Sequence, residues 1–169
     1  ATAPRLVAST PGHYSLVVTS DGGCSIASEP VDLRDASSHI ELGAYEAVPG
    51  QKLSIPITLA SSRNLDHAGA DEYTATIRFD HSLLYPAGAT PLGSIDGESR
   101  VVTYTGRRGA AQSGGIGTLE FIAALGDTLV TPLTIESFIW NGAEVSVSTT
   151  DGSVTIMPQG GWKLYLPDG

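Results

Sequence analysis

Short runs of alternating hydrophobic and polar residues follow one another along the chain, and glycine, proline and aspartate separate them. The clearest run spans residues 71–80, where Tyr73, Ala75, Ile77 and Phe79 alternate with polar residues. Successive side chains of a strand point to opposite faces, so this run predicts a strand with one buried and one wet face. We find no hydrophobic period of 3.6 residues that would indicate an amphipathic helix.

Similar runs predict the other strands of one sandwich. We place them at residues 40–44, 52–59, 100–104, 118–124, 133–140, 144–149 and 153–157. Pro56 lacks an amide hydrogen, which predicts that its strand lies at a sheet edge or a bulge there. About nine short strands, without helices for parallel crossovers, predict an all-β fold: a two-sheet antiparallel β-sandwich of the jelly-roll kind.

The run at residues 133–140 carries two large rings in an unexpected phase. Strict alternation places Phe138 and Trp140 on the face opposite to Leu133, Ile135 and Ile139. We therefore expect the two rings to lie outside the main core, where a partner or a neighbouring segment covers them. The rings available for stacking on a sugar are those of Phe138, Trp140, Tyr85, Tyr104 and Trp162.

The first 35 residues are predicted to form a separate element. Residues 14–19 and 24–28 predict a hairpin around the turn at residues 20–23, and a short apolar run follows at residues 31–33. The polar stretch at residues 34–38 has no periodicity and is interpreted as a linker. We therefore divide the chain into residues 1–35, a β-sandwich at residues 36–158, and residues 159–169 as a linker or the start of a following module.

Composition narrows the choice of partners and of location. Nine basic and eighteen acidic residues give a net charge of −9, which disfavours nucleic acid and anionic lipid as partners. Charged residues make up 16% of the chain, below the roughly 25% that is usual, and this bias predicts an extracellular protein, secreted or attached to a cell surface. No run approaches the roughly 20 apolar residues of a membrane span. The one cysteine, Cys24, has no internal partner for a disulfide.

The sequence contains none of the common catalytic or metal-binding motifs. The densest polar cluster comprises Asp66, His67, Asp71, Glu72, Asp80 and His81. Its spacing fits no metal motif, so we interpret these side chains as solvated and expect neither a metal nor a cofactor. No nucleophile elbow is present. A glycosidase needs two carboxylates across a cleft, and Glu120 and Glu144 are candidates that could share a sheet face, but the sequence does not fix their separation. We therefore expect a non-enzymatic protein without catalytic residues.

A glycine-rich stretch at residues 106–115 contains Arg107 and Arg108. It lacks the lysine and the following helix of a phosphate-binding loop. We interpret it as a mobile loop between strands, from which the two arginines are available to an acidic partner.

Four segments in register carry a resemblance to a known family. They are Val48-Pro49-Gly50-Gln51-Lys52-Leu53-Ser54-Ile55-Pro56-Ile57, Ile77-Arg78-Phe79-Asp80-His81-Ser82-Leu83-Leu84, residues 117–123 and residues 149–156. Through them, the stretch from Ser38 to Met157 resembles a cohesin-type domain, a jelly-roll module that binds dockerins and whose fold is close to that of some carbohydrate-binding modules. Residues 61–70, interpreted as an insertion, and the loop at residues 107–115 depart from the family pattern.

Residues 11–33 resemble the last hairpin of an immunoglobulin-like repeat that is common in large bacterial surface proteins. This resemblance implies that the chain starts inside a preceding repeat.

The cohesin resemblance implies a flat binding face built from the third, fifth, sixth and eighth strands. Projected by alternation, this face comprises Thr74, Thr76, Arg78, Thr103, Glu120, Ile122, Glu144, Ser146 and Ser148. The implied function is that of a protein-interaction or scaffolding module with a dockerin-like partner. Two alternatives stay open: a structural spacer of a large surface protein, and a carbohydrate-binding module with a polysaccharide partner, against which the 7% aromatic content counts.

Overall fold

The computed structural model describes residues 10–157, and within them fifteen strands form four sheets. The strands are β1 (Gly12–Tyr14), β2 (Val17–Thr19), β3 (Ser25–Ala27), β4 (Val31–Leu33), β5 (Ser37–Glu41), β6 (Ala44–Ala47), β7 (Lys52–Arg63), β8 (Glu72–Asp80), β9 (Leu84–Ala87), β10 (Ser94–Asp96), β11 (Ser99–Arg107), β12 (Gly114–Ala123), β13 (Val130–Trp140), β14 (Ser146–Thr150) and β15 (Gly152–Ile156). The predicted final segment, residues 159–169 with Trp162, lies outside the described residues. Within residues 10–157, no helix has the length and hydrophobicity to cross a membrane.

Eleven of these strands build a sandwich of two sheets. The six-stranded sheet has the order β10-β11-β8-β13-β15-β6, and the five-stranded sheet has the order β14-β5-β7-β12-β9. The predicted all-β sandwich is thus confirmed. The first strand divides between the sheets as β5 and β6, and the last divides as β14 and β15, so that counting each once gives nine strands. These two terminal strands pair in parallel in both sheets, whereas the other pairs of the sandwich are antiparallel.

The core lies between the two sheets, because alternate residues of each strand face inward. On β7, Leu53, Ile55, Ile57 and Leu59 are all buried, as the alternation predicted. The four apolar residues of β8 are buried too, and the Phe79 ring meets a ring of β12 edge-on, with centroids 5.0 Å apart. Burying each such side chain contributes about 1.5–3 kcal/mol.

A buried tyrosine explains one glycine of the glycine-rich stretch and one glycine just after it. The Tyr73 hydroxyl donates to the carbonyl of Ile116 across the sandwich, at 3.0 Å. A Cβ atom at Gly106 or Gly117 would lie 2.4 or 2.2 Å from that hydroxyl oxygen, so only glycine fits at both positions. Burial, and to a lesser extent Tyr104, raise the pKa of the Tyr73 phenol.

A bulge in β13 overturns the prediction for its aromatic residues. The register of β13 against β8 shifts between Ile135 and Ser137, so one extra residue reverses the alternation. Phe138 and Trp140 are therefore buried in the core together with Ile135, whereas Ile139 is 58% exposed. Strict alternation had placed the two rings outside the core, and this prediction was wrong. The Trp140 indole donates to the Ser38 hydroxyl of the opposite sheet at 2.9 Å.

Several predicted boundaries also change. Ser37 and Ser38 belong to β5 rather than to a linker, and Ser61 extends β7 into the supposed insertion. The strands β9 and β10 did not appear in the prediction, and β14 begins only after Glu144. The edge position predicted for Pro56 is confirmed, since β5 covers β7 only from Thr58 onward.

Residues 10–35 form a small N-terminal unit of two two-stranded sheets. The strands β2 and β3 pair around a turn, as predicted, and β1 pairs with β4. Hydrogen bonds connect this unit to the sandwich. Asn64 Nδ2 donates to the Asp35 carbonyl at 2.7 Å, and His67 Nε2 is hydrogen-bonded to the Asp32 carbonyl at 3.0 Å. The unit contributes no residue to the buried core.

Candidate partner-binding surface

The nine predicted binding residues do not share one face. Thr74, Thr76, Arg78 and Thr103 lie on the outer side of the six-stranded sheet. The other residues belong to the other sheet or its connections: Glu120, Ile122, Ser146 and Ser148 lie on β12 and β14, and Glu144 precedes β14. The premise of a single face was therefore wrong. The cause is the strand count after β8, where β9 and β10 were not predicted: β11, β12 and β14 were taken as the fifth, sixth and eighth strands.

When β9 and β10 are included in the strand count, the strands of the implied binding face form one continuous surface. When β5 and β6 are counted as one strand, the third, fifth, sixth and eighth strands are β8, β10, β11 and β13. These four are consecutive neighbours in the six-stranded sheet, in the order β10-β11-β8-β13. The face implied by the resemblance is therefore the outer side of this sheet, which the second layer leaves uncovered.

We define the threonine-rich face by the outward residues of these strands. Cross-strand pairing arranges them in rows: Thr105, Thr74 and Ile139 in one row, Thr103, Thr76 and Ser137 in the next, and Val101, Arg78 and Thr134 in the third. Hydroxyl groups predominate in these rows, and one large apolar side chain of the end row is 58% exposed. That side chain, Ile139, had been assigned to the core, because alternation alone does not reveal the bulge beside it.

The guanidinium of Arg78 lies between two carboxylates at one end of this face. Arg78 Nη1 donates to Asp96 Oδ2 at 3.0 Å, and Arg78 Nε donates to Glu136 Oε1. These hydrogen bonds, with Glu136 first and Asp96 second, raise the pKa of the guanidinium. The Arg78 side chain is only partly exposed, and its two partners hold it in place across three strands. Neither Asp96 nor Glu136 was predicted to belong to the binding face, since each lies on a stretch whose register the sequence did not reveal.

The two arginines of the glycine-rich stretch have different roles. The guanidinium of Arg108 is buried and donates to the carbonyls of Ala70 and Ala111 and, at 2.6 Å, to Asp66 Oδ1. Its donors are therefore engaged inside the protein, and the prediction that Arg108 is free for an acidic partner was wrong. Arg107 is exposed and pairs with Glu72. The hydrogen bond from Arg108 lowers the pKa of Asp66.

The polar residues considered as metal ligands are separated. Asp66 binds Arg108, Asp80 accepts from the amide and hydroxyl of Ser82, and Asp71 accepts from the amide of Gly109. Residues 10–157 contain no group of three or more acidic, histidine or cysteine residues placed to hold a metal ion. The Glu120 carboxylate accepts from the Ala89 amide at 3.1 Å. Glu120 and Glu144 lie at different strands and do not form a paired site.

Of the rings considered for sugar stacking, one is exposed within the described residues. Tyr85 is 52% exposed, whereas Phe138 and Trp140 are buried and Tyr104 packs against the core. A platform of two or three coplanar exposed rings is therefore not present in residues 10–157.

Solved structures share this architecture. The seventh ScaB type I cohesin of Pseudobacteroides cellulosolvens is 13% identical, with a TM-score of 0.50 over 77% of this chain and 98% of that one. The sixth cohesin of scaffoldin B from Acetivibrio cellulolyticus, solved in complex with a mutant Cel5 dockerin, is 14% identical, with a TM-score of 0.50 over 72% of this chain and 99% of that one. The sandwich therefore has a cohesin-type fold. No protein-family model and no curated protein sequence matches the chain.

Proposed function

We propose that residues 36–158 form a non-catalytic protein-interaction module of a secreted or cell-surface protein, which binds a dockerin-like partner through the threonine-rich face. The observation that carries this proposal is the exposure of Ile139 on an inner strand of the six-stranded sheet. Ile139 lies in the end row of this uncovered sheet face, where its exposed aliphatic side chain offers an apolar anchor that a protein partner can bury.

The chemistry around Ile139 suits a protein partner. In the same row, the Thr105 hydroxyl can donate and accept hydrogen bonds, and the Thr74 hydroxyl, which donates to Asn141 Oδ1, can still accept one. Arg78 is anchored by two carboxylates, so little conformational entropy is lost when a partner contacts it. An apolar anchor within a polar surround is the usual anatomy of a protein interface.

The proposed class of partner is taken from proteins of similar fold. The Acetivibrio cellulolyticus cohesin with this fold is described in complex with a dockerin. The face used here corresponds to the third, fifth, sixth and eighth strands, which the sequence resemblance implied. We extend the same partner class to this chain, and the bias toward few charged residues supports an extracellular setting.

The domain limits belong to the same proposal. Residues 1–35 are assigned to the end of a preceding immunoglobulin-like repeat, and residues 159–169 to a linker or a following module. The described part of the first segment supports this division, because it forms its own strand pairs and adds nothing to the core of the sandwich.

Calorimetry with a panel of purified dockerin modules tests the function. We expect at least one module to bind, and Ile139→Asp to weaken its affinity by about tenfold or more, since a charge would be buried in the interface. Arg78→Ala should weaken it less. The matched control is Ile122→Asp, which places the same charge on the other sheet and should leave the affinity unchanged.

Two outcomes would contradict the proposal. If no dockerin binds, the spacer interpretation gains support. If Ile122→Asp weakens binding and Ile139→Asp does not, the partner uses the five-stranded sheet. Thermal unfolding of each variant separates a loss of binding from a loss of fold.

A further inference from the structure

A buried cation at one edge of the sandwich has no counter-ion. Arg100 lies on β11 with its side chain turned inward, and only 7% of the residue is exposed. Its Nη1 donates to the Leu92 carbonyl at 2.7 Å, but its Nε is buried and has no acceptor. Within residues 10–157, no carboxylate forms an ion pair with it. Arg100 is therefore unlike Arg108, whose guanidinium meets Asp66 and two carbonyls.

Such an arrangement is energetically unfavourable unless something compensates for it. Buried charged side chains are normally paired, because the removal of an ion from water is unfavourable unless a counter-ion or hydrogen bonds replace the lost solvation. The Tyr85 ring lies 5.7 Å from the Arg100 guanidinium carbon, which offsets part of this cost through a cation–π interaction. The Nε has no hydrogen-bond acceptor among the described residues, so this donor is unsatisfied in the folded protein.

Exposed apolar side chains surround this cation. Ile95 is paired with Arg100 across β10 and β11, and Leu92 contributes the carbonyl that Arg100 binds. Leu92 and Ile95 are 54% and 57% exposed, and Tyr85 is half exposed. Ile122 lies next to Tyr85 on the neighbouring strand. We call Arg100 with these four residues the Arg100 edge.

The strands at the Arg100 edge also have backbone groups that no neighbouring strand pairs in the described residues. The strands β9 and β10 are the outermost strands of their sheets on this side. Gly93, with a φ of +64°, brings the connecting loop so close to β11 that a Cβ atom there would lie 2.0 Å from the Val101 carbonyl oxygen. The outer side of β10 has no pairing strand in the described part of the chain, so its amide and carbonyl groups are free to pair with an added strand.

We propose that the Arg100 edge is a second interaction surface, which takes an extended segment of a protein partner that carries a carboxylate between apolar residues. The carboxylate accepts hydrogen bonds from the guanidinium and supplies the missing counter-ion. The apolar residues cover Leu92, Ile95 and Tyr85, while the partner backbone pairs along β10. Unpaired strand edges and three aliphatic side chains favour a peptide over an acidic sugar, which has no backbone to pair. This surface shares β10 with the threonine-rich face, but Arg100 and Ile139 lie on opposite faces of the six-stranded sheet.

Selection from a random peptide library displayed on phage, with the full 169-residue chain as bait, tests the proposal. We expect enriched peptides to share an Asp or Glu flanked by aliphatic or aromatic residues. As synthetic peptides, they should lose affinity by about tenfold when the carboxylate becomes an amide, because a charge-assisted hydrogen bond at a buried cation is lost. Arg100→Gln should abolish binding, and the matched control Arg63→Gln, which removes an exposed arginine from β7, should not.

Surface variants keep the test valid if Arg100→Gln disturbs folding. Leu92→Ser and Ile95→Ser change exposed side chains and should each weaken the same peptides by several-fold. The proposal is overturned if the library yields no carboxylate motif, or if the selected peptides bind both serine variants as tightly as the unaltered chain. It is also overturned if oligogalacturonate binds at this edge and no peptide does. Because Ile139→Asp should leave these peptides unaffected, a failure here is distinguishable from a failure of dockerin binding.

Discussion

The sandwich and the N-terminal unit are built from the same kind of strand but differ in what those strands bury. In the sandwich, Ile57 is 1% exposed, because the second sheet covers the inner face of β7. In the N-terminal unit, Ile26 is 74% and Val17 is 59% exposed, although β2 and β3 are hydrogen-bonded to each other. Strand pairing is thus common to both regions, whereas a second layer is present only in the sandwich. Burial between layers, more than pairing, stabilises this protein.

The same substitution in both regions tests this comparison most strongly. Ile57→Ala should reduce the free energy of unfolding by about 2–5 kcal/mol, since it opens a cavity in the core. Ile26→Ala should change it by less than about 0.5 kcal/mol, because the side chain is already in water. Urea denaturation followed by tryptophan fluorescence gives both values. A large effect of Ile26→Ala would show that the N-terminal unit unfolds together with the sandwich.

A neighbouring pair of arginines sharpens the comparison within the sandwich. Arg108→Ala should lower the free energy of unfolding by about 1–3 kcal/mol, because the carbonyls of Ala70 and Ala111 lose their donor. The control Arg107→Ala removes an exposed ion pair with Glu72 and should cost at most about 1 kcal/mol. Chemical denaturation of the two variants measures the difference. Equal effects would mean that burial of the guanidinium is unimportant.

The smallest expected effect concerns pH. Arg108 lowers the pKa of the Asp66 carboxyl below its unfolded value, so this carboxylate stabilises the folded state above the unfolded pKa of 3.8. The contribution is lost as the pH falls through the folded-state pKa. We therefore expect Asp66→Asn to be slightly less stable than the unaltered chain at neutral pH and equal to it in strong acid. Thermal unfolding between pH 7 and about pH 2 measures this convergence. A difference that persists in acid would contradict it.

Local sequence pattern predicted those strands whose alternation is unbroken. The four inward residues of β8 and of β7 were correctly assigned, as was the open edge at Pro56, because each depends on chemistry within one strand. In β13, by contrast, the bulge near Glu136 is a property of its pairing with β8. No pattern within residues 133–140 marks the extra residue, so Phe138 and Ile139 were assigned to the wrong sides.

The binding surface was harder to predict than the fold, since a face combines strands that are distant in sequence. The strands β9 and β10 are only four and three residues long, and Pro86 interrupts the first. The resulting error in the strand count moved the projected face from β10 and β13 to β12 and β14. Arg78, Thr74 and Thr76 were placed on the correct sheet, because their strand precedes the error. The setting of Arg100 could not be predicted, since its lack of a counter-ion depends on which side chains the fold brings to it.

The parallel pairing of the first and last strands bears on how the sandwich responds to mechanical load. The chain enters the sandwich at Ser37, at the start of β5, and β15 ends at Ile156. Since β5 runs beside β14 and β6 runs beside β15 in the same direction, tension between these two points acts along both pairs. Their hydrogen bonds are then sheared together rather than opened one after another. The two divided strands thus form a longitudinal clamp across both sheets.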